Sequence, residues 1–203
     1  MRVVAGEARG RKLKGPATEA TRPIIDRVKT ALFDILSWRV EDVRFLDLFA
    51  GVGSVGIEAL SRGAARATFV ELDGGVLAIL RENLVTTRLA ERAETLRTDA
   101  FAFLAAAHAQ GRVFDMVYVA PPQYQGLAAR AVACLDAAPL TAPGGLIIAQ
   151  VHPRERGELD QLALTSLRRY DERRYGSTLL VFYEHRAPAD PAPPQQPTQE
   201  NEP

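Results

Sequence analysis

The sequence predicts an α/β protein built on a mostly parallel sheet. Two observations carry the prediction: from Arg44 onward short apolar runs alternate with helical stretches, and the first run ends in a glycine-rich turn that opens a helix. A third bounds the core. Among 203 residues 47% are hydrophobic and 25% charged, a globular composition, and a chain of this length buries roughly 70% of its unfolded surface without metals or disulfides. Cys134 is the single cysteine and has no partner for an internal bridge. No run reaches about 18 consecutive apolar residues, and residues 1–6 lack the apolar core of a secretory signal, so a soluble cytoplasmic monomer is expected.

In chain order, Arg2 to Gly6 and Gly10 to Leu13 read as two short strands joined by a turn. A helical period follows from Ile24, with Val28, Leu32, Ile35 and Leu36 on one stripe and Pro23 just ahead of the first turn. Strands are expected at Phe45 to Phe49, Ala67 to Leu72, Ala93 to Thr98, Val113 to Val119 and Gly145 to Gln150. Between them the helices are Val55 to Ser61, Gly75 to Thr86, Phe101 to Ala109 and Gly126 to Asp136. Leu167 to Tyr175 and Thr178 to Tyr183, around Gly176-Ser177, read as a hairpin that adds an antiparallel pair. The last 17 residues hold six prolines and no aromatic residue, so they form a disordered tail. The organisation is therefore a basic extension over 1–43, a main domain over 44–186 and a tail over 187–203.

Net charge is zero, which at face value argues against a polyanionic partner. The sum hides a division. Residues 1–44 carry 10 basic and 6 acidic residues, against 15 and 19 in the remainder. The first thirty hold 8 basic residues, Arg2, Arg9, Arg11, Lys12, Lys14, Arg22, Arg27 and Lys29, against 3 acidic ones. Such a segment fits either an ordinary solvated surface or a phosphate-binding one.

The glycine turn, Asp47-Leu48-Phe49-Ala50-Gly51-Val52-Gly53-Ser54-Val55-Gly56-Ile57-Glu58, is the most informative segment. Gly51 and Gly53 allow a sharp turn and a close ligand approach, and Gly56 lets helix and strand pack tightly. Glu71 ends the next strand 20 residues after Gly51, where a carboxylate accepts from ribose hydroxyls. Taken alone, this pattern suits any nucleoside ligand. Asp47 discriminates: a carboxylate inside the first strand repels a pyrophosphate and attracts a cation. S-adenosylmethionine, with its sulfonium and ammonium groups, satisfies that charge. Asp99 ends the third strand, where it can accept from an adenine amine or cap the following helix. Glu58 reads as an exposed helix charge.

These residues resemble the first motif of class I S-adenosylmethionine-dependent methyltransferases. More narrowly, Arg2-Val3-Val4-Ala5-Gly6-Glu7-Ala8-Arg9-Gly10-Arg11-Lys12-Leu13 and Arg22-Pro23-Ile24-Ile25-Asp26-Arg27-Val28-Lys29-Thr30-Ala31-Leu32-Phe33 are similar to the bacterial RsmD-like family, which methylates the N2 amine of a guanine in 16S ribosomal RNA. The resemblance spans Met1 to about Glu184. It implies a Rossmann-like seven-stranded sheet with a C-terminal antiparallel hairpin. It also implies a cofactor site of Asp47, Phe49, Gly51, Gly53, Gly56, Glu71, Asp99 and Ala100, and a basic arm that meets RNA through Arg9, Arg11, Lys12, Arg22 and Arg27.

The fourth strand departs from the family. Where the family has Asp or Asn, then Pro-Pro, then Phe or Tyr, this chain has Ala120-Pro121-Pro122-Gln123-Tyr124. The family residues accept the N–H groups of a poorly nucleophilic exocyclic amine and stack on its base, an interaction worth about 1 to 3 kcal/mol. Ala120 removes the side-chain acceptor. Its place falls to the backbone carbonyls of Ala120 and Pro121 helped by Gln123, or to Gln150 or His152; otherwise catalysis is lost and only binding remains. One lost positioning bond costs about 100-fold in rate, which leaves a working enzyme as the preferred expectation. Other functions in view are a non-catalytic RNA-binding assembly factor, a methyltransferase for a protein glutamine or small molecule, and a nicotinamide-dependent oxidoreductase. His108, His152 and His185 lack metal-ligand spacing, so no metal is expected. Trp38 and Phe33 read as core, Cys134 as a small buried thiol, and Arg168, Arg169, Arg173 and Arg174 as a solvated edge strand.

Overall fold

The computed structural model describes residues 1–15 and 26–186; Arg22 and the proline-rich tail lie outside the described residues. The element order is α1 (Asp26–Leu36), β1 (Arg44–Leu48), α2 (Ser54–Ser61), β2 (Arg66–Glu71), α3 (Gly74–Thr87), β3 (Ala93–Arg97) and α4 (Ala100–Ala109). There follow β4 (Phe114–Val119), α5 (Leu127–Ala137), β5 (Thr141–Val151), α6 (Arg156–Asp160), β6 (Leu167–Tyr175) and β7 (Thr178–His185). The strands form one seven-stranded sheet in the order β3-β2-β1-β4-β5-β7-β6. β1 to β5 run parallel, and β7 pairs antiparallel with both β5 and β6.

Both faces of this sheet are covered, so its inner strands are apolar on both sides. Alternation along each strand divides the core in two. Phe45, Phe69, Met116, Tyr118, Ile148 and Phe182 face one layer with α1, α2, α3 and the N-terminal segment. Leu46, Leu48, Val117, Val119, Ile147 and Tyr183 face the other, with α4 and α5. From Arg44 onward the strands and helices expected from the sequence all form, with bounds shifted by at most two residues except at β5, which starts earlier. The short α6 after β5 had no sequence signal.

Four expectations are corrected. Pairing in the N-terminal segment shrinks to one antiparallel bridge, Arg2 to Lys12, with Val3 N–H bonded to the Arg11 carbonyl at 3.0 Å. The ladder stops because the neighbouring donors go elsewhere: Val4 and Ala5 give their N–H groups to the Glu58 carboxylate at 2.8 and 2.9 Å, and Lys14 gives its N–H to Asn83 Oδ1 at 2.8 Å. Glu58 is therefore no exposed charge but fully buried, in a helix whose every residue is buried. Trp38 is not core. Ser37 turns the chain with φ 49° beyond α1, leaving Trp38 75% exposed while Phe33 is fully buried. Cys134 is half-buried, packed at the margin of the second layer rather than inside it. On the terminal hairpin Arg168, Arg169 and Arg173 pair with Glu184, Asp160 and Asp171, as a solvated strand would.

Glu58 is compensated by Lys29 of α1, whose Nζ lies 3.1 Å from Oε2 with both side chains fully buried. Burial pulls the Lys29 ammonium below its ordinary range, against the opposing pull of Glu58. Removing one member of a buried pair strands the other charge, at about 3 to 5 kcal/mol. Lys29→Met is expected to destabilise the protein by that amount in urea or guanidinium unfolding, with the midpoint shifted and the slope unchanged.

Candidate active site

The strand order reverses between β1 and β4, and in open α/β sheets ligands bind outside the carboxyl ends of the strands at such a point. The glycine turn after β1 and the Ala120 to Tyr124 loop after β4 therefore lie side by side. Their strands are in register, Asp47 opposite Tyr118 and Leu48 opposite Val119.

The turn is built by hydrogen bonds to carboxylates. Asp47 Oδ2 accepts the Gly56 N–H at 2.8 Å, and Glu71 accepts the N–H groups of Gly51 and Asp73, each at 2.8 Å. A Cβ on Gly56 would lie 2.3 Å from the Phe69 ring, so only glycine lets α2 sit on β2. Gly51 differs: at φ 55° it has nothing within 4 Å of a Cβ, so its backbone faces open space that a ligand can fill. Phe49, with φ 67°, turns its ring edge-on to Phe101, which in turn carries the Arg130 guanidinium 3.7 Å from its centroid. Asp99 caps α4 through Oδ1, which accepts from Phe101 and Ala102, while its Oδ2 takes no bond among the described residues. The cap and a ligand contact are thus compatible, and Ala100 is buried directly behind it.

Asp47 is the unusual group. Only 2% exposed, its carboxyl is pushed up to about 8, chiefly by burial and slightly by Glu71, with the Gly56 N–H opposing. None of Asp47, Glu71 and Asp99 has an ion-pair partner among the described residues. Glu71 and Asp99 suit a cationic ligand, and a cation bound beside Asp47 would favour its ionised form, so the residues fit S-adenosylmethionine. Leu72, 64% exposed beside Glu71, offers apolar surface to a purine and was not picked out from the sequence.

In the acceptor loop, Ala120 continues the Met116, Tyr118 face and packs on the core beneath. Gln150 Oε1 accepts from Tyr118 Oη at 2.6 Å, which occupies one of the side chains considered as a substitute acceptor. The Gln123 side chain has no hydrogen bond among the described residues and is half-buried. Tyr124 is 59% exposed, with its ring 5.3 Å from that of His152. Its N–H donates to Glu155, a residue that nothing in the sequence singles out.

Of the arm residues, Arg9 and Lys12 are exposed, and so is Arg27 at the start of α1. Arg11 donates to the Thr86 carbonyl of α3. Arg2, Arg9, Asp26 and Arg27 line a cleft of about 320 Å³, joined to the glycine turn through Lys29, whose Nζ bonds both the Arg2 carbonyl and Ser54 Oγ.

A family model described as "Conserved hypothetical protein 95" matches residues 1–184. The chain belongs to this family. It is 40% identical over 136 residues, 67% of each chain, to "Ribosomal RNA small subunit methyltransferase D" of Escherichia coli K12. The solved structure of a hypothetical protein from Thermus thermophilus superposes with a TM-score of 0.73 at 36% identity, covering 90% of this chain and 98% of that one. An RNA methyltransferase from Salinibacter ruber, solved with S-adenosyl-L-homocysteine, superposes at 0.63 with 15% identity over 83% and 98%, which shows a shared fold. The Rossmann-like class I methyltransferase fold and the RsmD-like resemblance both hold.

Because the Asp47 carboxyl is raised from 3.8 to about 8, the folded state holds its proton more tightly than the unfolded chain. Its ionisation opposes folding progressively from about pH 4 to pH 8. Asp47→Asn keeps an acceptor for Gly56 and removes that charge. The variant is expected to melt higher than the parent at pH 8 and above, with the difference vanishing below pH 4 in thermal scans of the ligand-free protein.

Proposed function

We propose that this protein transfers a methyl group from S-adenosylmethionine to the N2 amine of a guanine in 16S ribosomal RNA, acting as a monomer on the small subunit or a particle that assembles into it. The carrying observation is the juxtaposition, at the β1/β4 switch point, of carboxylates that lack a cation with an exposed tyrosine on a proline loop. The kinship with ribosomal RNA small subunit methyltransferases supports the choice of substrate.

When bound, S-adenosylmethionine supplies an electrophilic methyl group on a good leaving group. Asp47 and the open Gly51 turn hold its cationic amino-acid end, Glu71 takes the ribose hydroxyls, and Asp99 with Ala100 takes the adenine edge. The target guanine leaves its stack and lies on Tyr124 beside Pro121 and Pro122. The carbonyls of Ala120 and Pro121, with the Gln123 amide oxygen, accept from its N2 amine and aim the lone pair. As the N–C bond forms the methyl would leave its sulfur, which departs as a neutral thioether, and the nitrogen's proton would pass from the loop acceptors to solvent; most of the acceleration would come from alignment. Arg9, Arg11, Lys12, Arg22 and Arg27 meet phosphates; Arg9 and Arg27 have no acidic partner among the described residues, so their charge is available.

Small subunits lacking the modification, incubated with methyl-labelled cofactor and digested to nucleosides, are expected to yield N2-methylguanosine. Label on protein or on another nucleoside would overturn the assignment, and bound cofactor without transferred label would favour a non-catalytic assembly factor. Loss of stacking in Tyr124→Ala is expected to lower kcat/KM about 5- to 150-fold. Arg9→Ala is expected to weaken RNA binding and reduce its log–log salt slope by about one unit. An unchanged slope would remove Arg9 from the RNA surface.

A further inference from the structure

We propose that Glu155 is a positioning residue: its buried carboxylate fixes Tyr124 in the orientation that receives the target base. The inference rests on Tyr124 being that platform. Glu155 ends the single 3-10 turn Pro153–Glu155 that follows β5, and it is 5% exposed. Its Oε1 accepts the Tyr124 N–H at 2.8 Å and its Oε2 accepts the His152 N–H at 2.9 Å. No Lys or Arg pairs with it among the described residues. Burying a carboxylate without a counter-ion is costly, and these two charge-assisted bonds are what offset it.

Capping the turn accounts for one oxygen only. The His152 bond is the local half of a capping box. The other oxygen reaches 31 residues back to a loop that needs no cap. What that loop has is strain. Tyr124 is held at φ 63°, a left-handed conformation that costs a residue other than glycine about 1 to 3 kcal/mol and persists only where surrounding structure dictates it. The Glu155 carboxylate is that structure. It draws the Tyr124 amide inward, which swings the ring outward onto His152, at 5.3 Å and an interplanar angle of 49°. The same carboxylate holds the His152 backbone, so the ring and its backstop are referenced to one group. Ala120 supplies no side-chain acceptor, so the base depends more on its platform for alignment.

The test is a double-mutant cycle of Glu155→Gln and Tyr124→Ala, read by methyl transfer to small subunits and by amide hydrogen exchange. Glutamine has one acceptor oxygen where two donors need one each. Glu155→Gln is expected to bind S-adenosylhomocysteine within twofold of the parent, to lose at least tenfold in kcat/KM mainly through kcat, and to exchange the Tyr124 amide at least tenfold faster. Exchange in the glycine turn is expected to stay unchanged. Adding Tyr124→Ala is expected to cost little more than either change alone, since both remove one platform. Additive losses, or an unaltered Tyr124 amide, would overturn the inference. If Tyr124→Ala left kcat/KM intact while Glu155→Gln still freed the amide, it is the platform reading that would have failed. Should the glutamine variant unfold, Glu155→Asp, which keeps the charge and shortens the reach, serves in the same cycle.

Discussion

The buried carboxylate of Glu58 is the constraint on which the rest of the molecule depends. Oε2 accepts the Val4 N–H and the Lys29 ammonium; Oε1 accepts the Ala5 N–H and the Arg62 guanidinium at 2.9 Å. Lys29 is saturated in turn by the Arg2 carbonyl and Ser54 Oγ. A charge in a fully buried helix is tolerable only with this many partners, and the partners come from the arm, from α1 and from α2 itself. Because α2 begins at Ser54, directly after the glycine turn, one electrostatic node ties the basic arm to the turn proposed to meet the cofactor. The arm is thus a structural layer of the domain, contributing Val3, Ala8 and Leu13 to the same core as Phe45 and Phe69.

This explains which parts were legible in the sequence. A parallel sheet covered on both faces imposes long apolar runs and a strand-helix rhythm, so the element pattern could be read from local periodicity. The glycines and the carboxylates at strand ends could be read because their positions follow from the same rhythm. Glu58 was misjudged because Ser54, Glu58 and Ser61, spaced i, i+4, i+7, form a polar stripe that reads as solvated, whereas the arm and α1 cover it through Val4, Ala5, Ala8 and Lys29. Glu155 was illegible for a different reason. It sits in the charged run Arg154-Glu155-Arg156, and its burial is decided by where a loop from 31 residues earlier arrives.

The acceptor loop illustrates how tertiary contacts narrow choices that sequence leaves open. Alternation along β4 places Ala120 on the face of Tyr118, and Tyr118 lies opposite the buried Asp47. Burial, with Asp47 adding, lifts the Tyr118 hydroxyl well above its usual range, so it stays a donor, and it donates to Gln150. Gln150 is thereby committed to holding β4 against β5. His152 is likewise committed, with Nδ1 accepting the Arg154 N–H at 3.2 Å and its ring against Tyr124. On the proposed reading, that leaves the loop carbonyls and Gln123 for the substrate amine.

The vanishing net charge follows from how each charge is matched. On the body about half of the arginines pair with carboxylates, among them Arg44 with Asp115, Arg62 with Glu58, Arg112 with Glu94 and Arg169 with Asp160. Such pairs cancel at short range and contribute little field at a distance. Two groups of charge without ion-pair partners lie next to the site. Among the described residues, carboxylates without cations line the crevice after β1, β2 and β3, while Arg9 and Arg27 lack acidic partners at the arm. On the proposed function, a positive edge beside a negative crevice would draw a polyanion and a small cation to adjacent places. On that reading the two would have to meet for a methyl group to pass from one to the other, and the Lys29 link between the Arg2 carbonyl and Ser54 Oγ joins the arm to the start of α2 beside the glycine turn.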